Sequence, residues 1–417
     1  MSKHSTDKKT FEICRPESAG MSSRALSFID DVMERSIREK VMKGMVTLVA
    51  RHGKIVHFKA YGEAREGVQM KKDAIFRYAS MSKTIGAAAL MQLYDRGLVM
   101  PSDLLSGYIP AFAGCKVAEA CENGSIQMVP ARREITIHDL LTMTSGIASI
   151  RDLELEDPAA AYCAKCYKEA GIDDSVIALD TTIGQMADRL AGLPLASHPG
   201  DRWDYSNLSS IILGRVVEIV SGMDLNSYLK KYIFNPLNMK DTSFYPDRSK
   251  WDRIPDVFAC GSMELLKEMD VPGTGDTRVP FTDYKNYYNI SAGLTGTAVD
   301  YFQFAQMLCD RGVRKGHRIL SPHAVSLMTM PYTRHAGPSI YGHTWGYMMD
   351  VQSQVNTTFN YMGNGSYGWH GYWGSVFNVW PDRDMVAVLL SQVSPVGLSW
   401  KTQERFLNVA ACAVKEV

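Results

Sequence analysis

No apolar run in this chain of 417 residues approaches the length of a bilayer span. Met1–Thr10 is polar and charged and has no apolar h-region, so it does not read as a secretory signal. An excess of charge of either sign is also missing. Forty-five Lys and Arg balance forty-five Asp and Glu, and the basic residues are scattered. That balance argues against a nucleic-acid or anionic-membrane footprint. There is no internal repeat and no low-complexity tract. Together these absences point to a soluble, cytoplasmic protein with neither a nucleic-acid nor a membrane partner.

Cysteine is sparse. Eight residues (Cys14, Cys115, Cys121, Cys163, Cys166, Cys260, Cys309 and Cys412) are spread over the whole chain. In an intracellular protein of this size they read as free thiols. Cys163-Ala-Lys-Cys166 has the spacing of half a zinc or redox site, but neither a second pair nor a His-x3-5-His partner lies nearby. We therefore expect no metal and no cofactor. The methionine content reads as adaptable core filler, with a Met-lined acyl pocket as the alternative.

The length exceeds one ordinary core, so two subdomains are expected. Ser22 and Ser23 precede a helix with Leu26, Ile29, Met33 and Ile37 on one side. Met45–Ala50 and Lys54–Ala60 read as a hairpin around His52-Gly53. Ser375–Trp380 and Met385–Ser391 read as another around Pro381-Asp-Arg-Asp384, followed by a helix over about Ser399–Lys415. Trp345–Val351 is a further strand candidate. The middle of the chain is helical. Thr136-x-x-Asp139, Thr182-x-x-Gln185 and Thr297-x-x-Asp300 resemble capping boxes before apolar runs. Asn207–Val220 and Leu225–Phe234 are two more helices, and Asn123-Gly124 marks a small hairpin. Asp152–Ser175 and Trp251–Ile290 read as irregular segments lining a cleft.

The expected architecture is α/β plus all-α. An antiparallel sheet with flanking helices comes from both chain ends (16–80 and 330–417), and a helical subdomain (81–329) is inserted between them. A polar leader occupies 1–15. The functional site is expected in the cleft between subdomains.

Ser80-Met-Ser-Lys83 carries the chemistry. If Ile85–Tyr94 is a helix, Ser80 and Lys83 share its face at i, i+3. A partly desolvated amine beside a serine hydroxyl can take its proton and make it a nucleophile. Ser-x-x-Lys also occurs at Ser5–Lys8 and Ser227–Lys230, and roughly two matches are expected by chance, so context decides. Only Ser80 follows a strand-like stretch, Ala74–Tyr78, and enters an apolar helix. Pro199-Gly-Asp-Arg-Trp-Asp-Tyr205-Ser-Asn207 leads into the next such helix. There a phenol and an amide stand ready as proton carrier and carbonyl holder, or as a satisfied half-buried tyrosine and its neighbour. Tyr-x-Asn recurs at Tyr284–Asn286 and Tyr287–Asn289 without that setting. Tyr367-Gly-Trp369-His370-Gly371-Tyr372-Trp373-Gly374 opens the C-terminal hairpin. Its glycines permit close backbone approach, and an edge N–H beside the nucleophile makes half of an oxyanion hole. The plain alternative is a glycine-rich edge strand with packed aromatics.

In this order and setting the three elements resemble those of the serine β-lactamase and penicillin-binding-protein superfamily, in its class C β-lactamase and family VIII-type esterase branch. The resemblance runs from about Pro16 onward. It includes Ile135-Thr-Ile-His-Asp-Leu-Leu-Thr-Met-Thr-Ser-Gly146, Asn235-Pro-Leu-Asn-Met-Lys-Asp-Thr242 and Ser291-Ala-Gly-Leu-Thr-Gly-Thr297. It implies that Ser80 attacks an acyl carbonyl, that Lys83 and Tyr205 share the proton work, and that Asn207, Trp369, His370 and Gly371 bind substrate. The backbone N–H groups of Ser80 and Tyr372 would hold the oxyanion. Trp369 departs from the pattern, standing where many members have the lysine or histidine of Lys-Thr-Gly or His-x-Gly. Loss of that cation removes a carboxylate contact worth roughly 1.5–3 kcal/mol. Some esterases and acyltransferases of the family share the tryptophan, so a neutral ester is favoured over a β-lactam or D-alanyl peptide. His370 either supplies a compensating hydrogen bond or part of the missing positive charge, or is structural. A β-lactamase or peptidase, an acyltransferase and an inactive acyl-binding homologue remain as alternatives.

Overall fold

The computed structural model describes residues 11–149, 157–172, 181–266, 286–333, 344–353, 362–394 and 396–415. The Ser5–Lys8 match, Tyr284, and parts of the leader and of both segments expected to be irregular lie outside these residues.

The centre is a sheet of eight strands, antiparallel throughout. In chain order they are β1 (Gly44–Arg51), β2 (Lys54–Arg65), β3 (Val68–Gln69), β4 (Thr344–Trp345), β5 (Asp350–Val351), β6 (Tyr367–Gly371), β7 (Ser375–Trp380) and β8 (Met385–Ser391). The spatial order is β4-β5-β6-β7-β8-β1-β2-β3. Met45 pairs with Ser391, and Arg51 with Met385, so the two expected hairpins lie side by side. The β1–β2 turn uses left-handed backbone at His52 (φ 53°) and Gly53 (φ 69°), which suits the twist of a tight hairpin.

Every residue of β1 is buried because both faces of the sheet are covered. Met45 and Val49 meet α1 (Ser23–Arg38) and the C-terminal helix Trp400–Cys412 through Leu26, Ile29, Met33, Phe406 and Ala410. Val46, Leu48 and Ala50 face the opposite layer. There the helix Ala298–Cys309 packs on β1, β7 and β8, although it belongs to the central stretch of the chain. Ser22 caps α1 by accepting from the Ala25 N–H at 3.2 Å.

The helices that complete the fold are α2 (Ser82–Tyr94), α3 (Ile137–Leu141), α4 (Pro158–Glu169), α5 (Ile183–Ala191), α6 (Asn207–Ser221), α7 (Leu225–Leu229), α8 (Ala298–Cys309), α9 (Pro322–Met328) and α10 (Trp400–Cys412). Thr136 and Thr182 form full capping boxes. Thr297 forms half of one, because the Asp300 carboxylate is taken by the Asp241 N–H and the Thr242 hydroxyl. Lys116–Ala120 and Ile126–Pro130 form the hairpin expected around Asn123-Gly124.

Two expectations change. Trp345–Val351 is not one strand but two short ones folded on each other, with Met348 at φ 58° in the bend. Asp152–Ser175 contains a regular helix, α4, capped by Asp157 and opened by Pro158. Inside the polar leader, the Cys14 N–H donates to the Ile55 carbonyl and the Ile55 N–H to that of Glu12, so Glu12–Cys14 runs along β2. Among the described residues, no helix is long and apolar enough to cross a membrane.

Candidate active site

Ser80 sits in a single 3-10 turn, Ala79–Met81, at the mouth of α2. Ala79 has φ 48°, a left-handed conformation that costs a non-glycine residue about 1 kcal/mol or more. The surroundings hold the turn in place. The Tyr78 N–H donates to the Leu294 carbonyl at 2.8 Å, the Tyr78 hydroxyl to the Thr297 carbonyl at 2.8 Å, and the Tyr301 hydroxyl to the Met81 carbonyl at 2.9 Å. Ser80 itself is half-buried.

α2 has almost no polar face, and Lys83 is 1% exposed within it. A buried ammonium or amine needs partners. Lys83 Nζ lies 3.0 Å from Ser80 Oγ, 2.7 Å from Asn207 Oδ1 and 2.8 Å from the Ser291 carbonyl oxygen. It also stands 4.8 Å from the centroid of the Tyr205 ring. Asn207 is the first residue of α6 and is buried. Its side chain therefore reaches across to α2 from a helix start.

Residues 131–149 hold the loop that carries Tyr205. The Ala196, Gly200 and Asp204 N–H groups donate to the carbonyls of Gly146, Thr144 and Met143. Gly146 has φ 79°, and a Cβ there would lie 2.1 Å from the Ser197 carbonyl oxygen, so glycine is required. Below, Arg133 grips the buried Asp139 with two N–H donors at 2.6 and 2.8 Å. Burial works to raise the Asp139 carboxyl. Arg133 and the Thr136 donors overcome that and hold it below its ordinary value.

β6 closes the third side. A Cβ on Gly371 would lie 2.6 Å from the Tyr78 carbonyl oxygen, so the strand's end lies directly against the Ser80 turn. Trp369 Nε1–H donates to the Tyr205 hydroxyl at 3.2 Å. Trp345, fully buried, meets Trp369 edge-on at 4.4 Å between centroids, and Trp203 and Tyr205 complete an aromatic cluster.

Ser80, Lys83, Tyr205, Asn207 and Trp369 thus converge, and Gly371 abuts the turn that carries Ser80. His370 does not join them. Strand alternation turns it to the other face of the sheet, where its Nδ1 lies 2.6 Å from Gln403 Oε1 on α10. Tyr372, just past the strand, is 42% exposed, and its hydroxyl accepts from Ser394 Oγ at 3.4 Å. The Ser291 carbonyl and Trp345 were not candidates in the sequence. A backbone acceptor has no residue-type signature, and Trp345 is brought in by the β4–β5 bend. Cys163 is buried in α4, and burial raises its thiol to about 12. Among the described residues, no three His, Cys, Asp or Glu side chains gather where a metal ion could sit.

A profile described as Beta-lactamase matches residues 29–410, nearly the whole chain. The chain belongs to the beta-lactamase family. It is thus a member of a family of serine hydrolases that includes esterases and penicillin-binding proteins. It is 29% identical to Protein Rv1367c of Mycobacterium tuberculosis over 88% of this chain and 90% of that one. It is 33% identical to Esterase EstB of Burkholderia gladioli over 58% of this chain and 56% of that one. Among solved structures, EstCE1, "a hydrolase with promiscuous acyltransferase activity", superposes with a TM-score of 0.75 at 24% identity. That match covers 94% of this chain and 99% of EstCE1, and it supports the family's β-lactamase/transpeptidase-like fold.

Proposed function

We propose that this protein hydrolyses carboxylic esters through an acyl-enzyme on Ser80. The observation that carries this reading is three contacts of Lys83 Nζ, with one hydroxyl and two carbonyl oxygens, all within 3.0 Å. A neutral primary amine has two hydrogens and one lone pair. Asn207 Oδ1 and the Ser291 carbonyl can only accept, so they take the hydrogens. The lone pair then faces the Ser80 hydroxyl.

The steps follow. Ser80 Oγ attacks the ester carbonyl carbon while its proton moves to Lys83 Nζ. Negative charge gathers on the former carbonyl oxygen, beside the backbone N–H groups of Ser80 and Tyr372. Each such donor is worth about 3 kcal/mol in other acyl-transfer enzymes. The C–O bond to the alcohol breaks, and the alcohol leaves with the proton that Lys83 took from Ser80, relayed through Tyr205. Tyr205 is suited to hand that proton over. Its oxygen accepts from the Trp369 indole, which can only donate, so its own hydrogen is directed elsewhere. Water then attacks the acyl carbon while Lys83 and Tyr205 take its proton, the C–O bond to Ser80 breaks, and that proton passes to Ser80 Oγ as the acid departs. Asn207 orients the incoming carbonyl.

The ester preference rests on Trp369, which brings no cation for a substrate carboxylate. The name of the EstB relative agrees with it. The substrate would reach the site between the sheet-bearing segments (16–80 and 330–417) and the helices of 81–329. A fluorophosphonate probe and a substrate panel test the reading: short and long p-nitrophenyl esters, nitrocefin and D-amino-acid amides. Labelling at Ser80 with ester turnover is expected. Preferred turnover of nitrocefin or the amides would move the function to a β-lactamase or peptidase. Faster release to an added alcohol than to water would make it an acyltransferase. No labelling at all would leave an acyl-binding homologue.

A further inference from the structure

Two glycines stand inside the helices that carry the site, Gly86 in α2 and Gly214 in α6. Glycine weakens a helix interior, so its presence there calls for a packing reason. Both meet Ile290. A Cβ on Gly86 would lie 2.5 Å from Ile290 Cγ1, and one on Gly214 would lie 3.0 Å from Leu225 Cδ2 and 3.1 Å from Ile290 Cγ2. Gly86 is one turn beyond Lys83, and Gly214 is two turns beyond Asn207, each on the same helix face. Ile290 is therefore a wedge seated between α2 and α6, directly under the site. On one side of it, Ser291 presents its carbonyl to Lys83 Nζ at 2.8 Å. On the other, Asn289, fully buried, folds back so that its Oδ1 accepts from the Ser291 N–H at 2.8 Å and from the Ser291 hydroxyl at 2.6 Å. The Asn289 carbonyl also accepts from the Gly293 N–H at 2.8 Å.

We propose that Asn289 is a positioning residue for Lys83: it locks the Ser291 carbonyl in place as an acceptor and so aims the amine's lone pair at Ser80. This rests on the reading of Lys83 as the base that activates Ser80. Were the carbonyl to swing away, one amine hydrogen would lose its acceptor, and the lone pair would no longer be held toward the hydroxyl. Ser80 would remain present and accessible, but slower to react.

A double-mutant cycle between Asn289→Ala and Lys83→Ala tests this. The readouts are the rate of fluorophosphonate labelling of Ser80 and kcat and KM for p-nitrophenyl acetate. Asn289→Ala should slow labelling and kcat by about 10–100-fold with KM little changed, the scale expected for a misdirected catalytic group. On the Lys83→Ala background the same change should cost less than about twofold, because a residue that acts through another has nothing left to act on. Asn289→Asp keeps the acceptor and should recover most of the rate. Gly86→Ala, which pushes Ile290 without touching Asn289, should reproduce the loss, and it serves if Asn289→Ala fails to fold. An equal loss on both backgrounds, or none in the wild type, overturns the positioning role alone. Unchanged labelling in Lys83→Ala overturns the role of Lys83 as base and the positioning role with it.

Discussion

Ser80 and Lys83 stand three residues apart at a helix start, and that spacing is enough to bring their polar atoms to 3.0 Å. Ser80→Ala should abolish p-nitrophenyl ester turnover while urea unfolding stays that of the wild type. Retained hydrolysis would put the nucleophile elsewhere. Gly371→Ala is a sharper test of geometry. The added methyl would meet the Tyr78 carbonyl at 2.6 Å, and that backbone cannot yield without moving the Ser80 turn. A loss of about 10²–10³ in kcat is expected, the size seen when an oxyanion donor is displaced. Trp369→Lys should improve relative affinity for carboxylate-bearing esters by up to roughly 1.5–3 kcal/mol, measured as competing kcat/KM values. At this scale the sequence displays what side chains can donate or accept. It does not display the Ser291 carbonyl. It does display the alternation that separates His370 from Trp369, but the bond to Gln403 depends on a helix some thirty residues away that only the fold brings close.

The elements around the site are held by caps and braces. Asp139 caps α3, bonds the Thr136 and Thr144 hydroxyls, and pairs with Arg133. Because it is 1% exposed, removing its carboxylate takes a buried acceptor from the Thr136 N–H and hydroxyl, the Thr144 hydroxyl and the half-exposed Arg133 guanidinium. Asp139→Ala should cost about 3 kcal/mol or more in urea unfolding. It should also lower ester turnover, because the Met143–Gly146 carbonyls anchor the loop carrying Tyr205. Capping boxes and glycine turns were legible because their bonds are local. α4 was also signalled, by Asp157-Pro158 and by buried Ala159, Ala160, Cys163, Ala164 and Tyr167 at helical spacing. An acidic setting hid that pattern. The bend between β4 and β5 was not legible. The Met348 N–H donates to the Leu141 carbonyl and its carbonyl accepts from the Thr84 hydroxyl, so tertiary partners set its shape.

The molecule as a whole depends on a sheet covered on both faces. His57 lies in β2, buried beneath that covering, with its Nε2 2.8 Å from Thr47 Oγ1 on β1. Burial, helped by the nearby Lys59 cation, pushes its pKa from 6.5 down to about 4, while Asp30 pulls the other way. A depressed pKa gives stability that is present above about 6.5 and is lost as pH falls through about 4. The shift corresponds to about 3 kcal/mol. His57→Gln should therefore lose less stability than the wild type between pH 7 and pH 4, measured by urea unfolding. The broad plan of this sheet was legible because strand hairpins and an apolar amphipathic helix mark both of its halves. The closure between them was an inference about topology, and the Met45–Ser391 register is what joins the halves.

That closure has a temporal consequence. During synthesis, Ser80 leaves the ribosome long before Gly371 can settle against the Tyr78 carbonyl or Ser391 can reach Met45. A nascent chain halted at Trp380 would expose β1 and β2 without their central neighbour β8, and chaperones would have to shield that surface until translation finishes.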